Sequence, residues 1–170
     1  MRLTRATRTA RSDPVTEISS RPVSVDLQVA WRRGRVPAPG KLRGWISAAL
    51  DGRRAGAEVS VRVVGEEEAC ELNRDYRSQD KPTNVLAFPS DLPAGLGMEL
   101  LGDLVLCGPL VEKEAIEQRK DLEAHWAHLV VHGTLHLVGL DHQTEAEARE
   151  MEALEVEILA ELGYPDPYDL

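Results

Sequence analysis

A chain of 170 residues, 42% hydrophobic and 29% charged, has the size and make-up of one globular domain with a real core. A formal net charge of −9 excludes a protein that coats nucleic acid by bulk charge, and no apolar run approaches the ~20 residues of a membrane span. Two isolated cysteines, Cys70 and Cys107, make no disulfide framework, so a reducing compartment, the cytoplasm, is expected. The charge is unevenly spread. Residues 1–62 carry 13 Lys/Arg against 5 Asp/Glu, and residues 63–170 carry 7 against 24, so one basic face built from the first third stays open.

Residues 1–20 are rich in Arg, Thr and Ser and lack apolar periodicity, which predicts a disordered N-terminal extension ahead of a domain over 21–170. The extension has no apolar core of a secretory signal. Its Arg-rich start weakly resembles an organellar transit peptide, and a simple tail is the plainer reading. Val23 to Gln28 alternates and reads as a strand. Leu42, Trp45, Ile46, Ala49 and Leu50 recur at helical spacing up to a stop at Asp51-Gly52. Glu58 to Val64 is a second strand. Glu66 to Tyr76 reads as a helix with Ala69, Leu72 and Tyr76 along one side. A polar loop, RSQDKPTN, precedes two short apolar segments, Val85 to Phe88 and Leu104 to Cys107. After Pro109 the pattern is helical, broken at Gly139 to Asp141 and ended by Gly163-Tyr-Pro. The order β-α-β-α-β-β-α-α-α predicts an α+β fold, a small mixed sheet of about four strands covered by helices.

All 5 histidines lie between positions 125 and 142. His132 and His136 are four apart, so both imidazoles share one face of a helix, one turn from each other. Gly139 can end that helix in a left-handed turn and bring His142 back to the same point. Three such ligands, H-x3-H-x5-H, suit a zinc ion with an open fourth position, the coordination of a catalytic site. One zinc ion per chain is expected, with another divalent transition metal as the alternative. A lone histidine on an apolar helix face is usually a packed core residue, and two at this spacing prove little. The third, placed beyond a helix-ending glycine, decides for metal. His125 and His128 read as packing or supporting residues. The spacing equals that of metzincin proteases, which need a glutamate directly after the first histidine as general base. Here that position is Gly133, so a peptidase is only a minor alternative.

HGTLHLVGLDH at 132–142, DKPTNVLAFP at 80–89, GDLVLC at 102–107 and EMEALEVEILAELGYPDPY at 150–168 together resemble the YbeY family of bacterial single-strand endoribonucleases, its proteobacterial branch above all. The resemblance spans about residues 22–168, and the extension is its one departure. It implies a zinc-dependent endoribonuclease that matures the 3′ end of 16S rRNA and serves ribosome quality control. It implies His132, His136 and His142 as ligands and Arg62 as the family's functional arginine. Single-stranded RNA, the small-subunit rRNA precursor, the ribosome or a small-subunit ribosomal protein, and an Era-type GTPase are the implied partners, with no membrane among them.

The strand pattern alone makes Arg62 a solvated arginine, since Val59, Val61 and Val63 point to one face and Ser60 and Arg62 to the other. The resemblance favours a guanidinium that faces the metal cleft and stabilises charge on the scissile phosphate. Arg77 and Lys81 in the polar loop are candidate RNA contacts. Glu66–Glu68 suits a helix start, and the glutamates of 145–161 read as the solvated face of a helix whose core stripe is Met151, Leu154, Ile158 and Leu162. Metal-activated water and the RNA's own 2′-hydroxyl are both admissible nucleophiles. The rival from another class is a non-enzymatic ribosome-assembly factor with a structural metal.

Overall fold

The computed structural model describes residues 22–54, 56–91 and 100–169, so the extension expected over 1–20 lies outside the described residues. Nine elements follow in the expected order: β1 (Ser24–Val29), α1 (Pro39–Leu50), β2 (Glu58–Val64), α2 (Glu66–Arg77), β3 (Val85–Pro89), β4 (Leu100–Cys107), α3 (Gly108–Glu117), α4 (Leu122–Leu137) and α5 (Glu145–Glu161). The sheet order is β1-β2-β4-β3. β1, β2 and β4 run parallel and β3 runs antiparallel to β4, so the sheet is mixed and β3 is an edge. The α+β expectation holds.

Alternation decides which face of the sheet is buried. Val59, Val61 and Val63 of β2 are fully buried against Leu42 and Ile46 of α1 and Trp126 and Val130 of α4. Each such aliphatic side chain contributes about 1.5–3 kcal/mol by leaving water. A smaller cluster, Val64, Ala69, Leu86, Val105 and Cys107, packs on the other face beneath α2. In α2 the inward stripe is Ala69 and Asn73 rather than one ending in Tyr76. Tyr76 is 66% exposed, its ring edge-on to Phe88 at 5.1 Å. No helix among the described residues is long and apolar enough to cross a membrane.

α4 carries the histidines, and both its ends are built. Asp121 caps the start by accepting the backbone N–H of Ala124 at 3.1 Å. At the far end Gly139 adopts φ +95°. There Gly139 N–H donates to His136 O at 3.0 Å and Leu140 N–H to Leu135 O at 3.1 Å, the paired bonds of a Schellman turn. Midway, α4 lies against the sheet at Gly133, where an added Cβ would sit 2.8 Å from Leu104 Cδ2 and 3.2 Å from Val85 Cγ2. That close approach sets the last turn of α4 beside the β3 edge. α5 packs along α4 and starts with a capping box, Thr144 with Glu147.

Candidate metal centre

The helical spacing and the Schellman turn together bring His132, His136 and His142 to one point. One ring nitrogen from each lies within 4.8 Å of the others. His132 Nε2 and His136 Nε2 are 3.2 Å apart. Two nitrogens each ~2.0–2.1 Å from one tetrahedral zinc would be ~3.3 Å apart, so the pair already has the separation that shared coordination requires. The residues present fit a divalent ion. His132 and His136 are half-buried on the helix, whereas His142 is exposed on the loop beyond it. Burial, then the neighbouring His132 and His142, push the His136 ring below its ordinary pKa and so favour the neutral form a ligand needs.

The histidines line a cleft of about 750 Å³ together with Arg77, Lys81 and Asn84. Local chemistry puts the two cations there. α2 ends at Arg77 because Ser78 turns left-handed, at φ 55°. Asn73, buried on α2, donates to Lys81 O at 2.7 Å and ties the polar loop down. Arg77 Nη2 reaches Ala87 O on β3 at 3.5 Å. Arg62 is placed differently from the expectation that it faces the cleft. Its side chain projects from the α2-facing side of β2. There Nε and Nη2 donate to Glu68 at 2.7 and 3.2 Å, and Nη1 donates to Gln28 at 3.0 Å. It lines a neighbouring cavity with Tyr76, Phe88 and Asp103, which meets the histidine cleft at Pro89.

One carboxylate at the site escaped the sequence reading. The glutamates of α5 were expected on a solvated face, and Glu155 departs from it, with 0% exposure. Its position, one turn after Met151 and one before Ile158, puts it on the buried stripe. His132 Nδ1 donates to Glu155 Oε1 and Tyr168 OH donates to Oε2, while His128 Nε2 lies 3.4 Å from Oε2. Burial raises the pKa of this carboxyl, but donors from His128, His132 and Tyr168 outweigh it and hold it down at about 2. His125, the other inner histidine, is buried and donates from Nε2 to Glu114 Oε2 at 2.8 Å, away from the cluster.

These shifts set the acid behaviour of the metal-free protein. His136 is depressed in the fold, so the unfolded chain takes up the extra proton first, and stability begins to fall below the ordinary histidine value of 6.5. Glu155 is also depressed, so its contribution is fully present above 4.5 and is lost as pH drops from there towards about 2. The second window is worth on the order of 3 kcal/mol. Thermal melts of metal-free protein across this range are expected to show both losses, and the lower one should vanish in Glu155→Gln. A wild-type melting temperature flat between pH about 5 and 2 would contradict the Glu155 assignment.

Comparison with known proteins gives consistent matches. The family model described as endoribonuclease YbeY matches residues 37–163. An endoribonuclease YbeY of Stutzerimonas stutzeri (strain A1501) is 56% identical over 147 residues, which cover 86% of this chain and 91% of that protein. The solution structure of the protein TM1509 from Thermotoga maritima superposes with a TM-score of 0.52 at 25% identity, covering 87% of this chain and 99% of that one.

Proposed function

The chain belongs to the endoribonuclease YbeY family, and from that premise we propose that it is a zinc-dependent endoribonuclease for single-stranded RNA, acting in the cytoplasm on the 3′ end of 16S rRNA and in ribosome quality control. The observation that carries this reading is the convergence of His132, His136 and His142 in a cleft that Arg77 and Lys81 also line. Those three imidazoles would hold one zinc ion, which when bound supplies Lewis acidity to a phosphate oxygen.

The chain's own groups do the rest. Arg77 presents a planar, permanently charged fork to the phosphodiester, and Lys81 adds a mobile point charge beside it. A cleft of this size admits a flexible strand, whereas a duplex keeps its phosphates on a stiff helix that cannot bend into it. The part expected of Arg62 passes to Arg77 in this reading, because the Arg62 fork is already engaged by Glu68 and Gln28. Small-subunit rRNA precursor is the substrate, with the ribosome, a small-subunit protein and an Era-type GTPase as the partners that deliver it. Delivery matters, since a chain of net charge −9 holds free RNA weakly and in a salt-sensitive way. Peptidase chemistry is disfavoured by Gly133, which stands where the metzincin pattern has a glutamate directly after the first histidine.

The test is cleavage of a single-stranded RNA and of small-subunit rRNA precursor, with and without chelator. Chelator should stop cutting and added zinc restore it; cutting that ignores the chelator would refute the metal dependence, and no cutting with zinc present would hand the site to the assembly-factor reading. Within the cleft, Arg77→Glu is expected to lower cleavage by about 10²-fold or more with zinc content unchanged. Arg62→Glu should stay within a few-fold of wild type. The reverse ranking would return the phosphate-holding role to Arg62.

A further inference from the structure

We propose that Glu155 is the positioning carboxylate of the metal centre: it fixes His132 with its proton on Nδ1, so that Nε2 faces the ion, and Tyr168 holds the carboxylate in place. This rests on reading the three histidines as metal ligands.

A carboxylate with no exposed surface is costly unless every lone pair meets a donor. Here both oxygens are engaged, Oε1 by His132 Nδ1 and Oε2 by Tyr168 OH with His128 Nε2 at 3.4 Å. An ionised carboxylate only accepts, so the His132 ring must carry its proton on Nδ1. In the neutral ring that leaves a bare lone pair on Nε2, the atom 3.2 Å from His136 Nε2. The tautomer a ligand needs is therefore imposed from behind, by a residue on another helix. Glu155 is not among the residues that line the cleft, so it cannot touch RNA or take a proton from it; it acts through His132. A carboxylate partner also makes the opposite ring nitrogen a better electron donor to a metal.

Tyr168 extends the arrangement to the segment after α5. Its ring stands edge-on to His128 at 5.3 Å, and its hydroxyl donates to the inner carboxylate while also lying 3.2 Å from His128 Nε2. Burial and the Glu155 carboxylate both push the Tyr168 hydroxyl well above its ordinary pKa, so it keeps its proton and remains a donor.

The experiment measures zinc affinity by chelator competition, and the visible absorption of the cobalt-substituted protein, for wild type, Glu155→Gln, Glu155→Asp and Tyr168→Phe. Far-UV circular dichroism of the metal-free forms checks the fold. Glu155→Gln is expected to bind zinc about 10- to 100-fold more weakly and to shift the cobalt bands, with Glu155→Asp recovering part of both. A purely structural role would lower the metal-free melting temperature and leave the affinity and spectrum of folded protein unchanged, and that result overturns the proposal. Should Glu155→Gln fail to fold, Tyr168→Phe decides: weaker zinc binding with altered cobalt bands supports the role, and wild-type values refute it. Wild-type protein that takes up no zinc refutes the three-histidine reading itself. A zinc-binding wild type beside an unaffected Glu155→Gln refutes only the part given to Glu155.

Discussion

Alanine in place of His132, His136 or His142 is expected to take bound zinc from about one ion per chain to less than about a tenth of that, and RNA cleavage down by about 10²-fold or more. Each substitution leaves two imidazoles, too few to hold the ion against water. The three losses should not be alike in their side effects. His142 is exposed on a loop, so its removal should leave the melting temperature of the metal-free protein almost unchanged. His132 is the donor to a fully buried carboxylate, and its removal leaves Glu155 short of a partner and should destabilise the fold by roughly 1–3 kcal/mol as well. His125→Ala gives the opposite pattern, loss of stability with zinc retained, because that ring is buried and paired to Glu114 rather than to the cluster. Elemental analysis and calorimetry on the four variants check the set. Full zinc occupancy in His142→Ala would sink the three-ligand assignment.

Gly133→Glu, the change that would supply the glutamate of the metzincin pattern, is expected to cripple folding instead of creating a peptidase. The new Cβ alone would stand 2.8 Å from Leu104 Cδ2, and Leu104, itself fully buried, would have to shift. Overpacking of this kind costs about 1–3 kcal/mol, and an unpaired carboxylate in the same place costs about as much again or more. The sum is a large part of the stability of an ordinary domain. Soluble yield and urea midpoint measure it, beside Gly133→Ala, which should lose only the overpacking part. A Gly133→Glu protein that melts like wild type would show that α4 and β4 can separate at this point, contrary to the packing described. The glycine thus has two meanings: it withholds a general base, and it lets the helix approach the sheet closely.

The sequence made some of this legible and hid the rest for physical reasons. The clustering of His132, His136 and His142 could be read because helical periodicity and a glycine stop are local, and both survive in the structure with the Schellman bonds at Gly139 and Leu140. The strands could be read where valines alternate, as in β2. β4 begins earlier than its apolar pattern suggested, because Gly102 and Asp103 interrupt the run at its start. The placement of Arg62 depends on non-local order. Alternation told which residues share its face, but only the strand order shows that the cleft opens at the β3 edge, where Arg77 and Lys81 reach it. Glu155 was hidden by its neighbours, in a helix so rich in glutamate that one more looks solvated. Its register between Met151 and Ile158 was the available signal.

The manner in which His142 is mounted would bear on how long a bound ion stays. Two imidazoles ride a packed helix, but the third hangs from a short span fastened at one end by the turn at Gly139 and at the other by the Thr144–Glu147 box. In an ion-loaded protein, His142 would be the ligand most easily displaced, because it is exposed and the other two are half-buried. With His132 and His136 still in place, the short span would keep the His142 ring at high local concentration for recapture. The stiffness of that span would then help to set how long an ion is held, on the side that faces solvent.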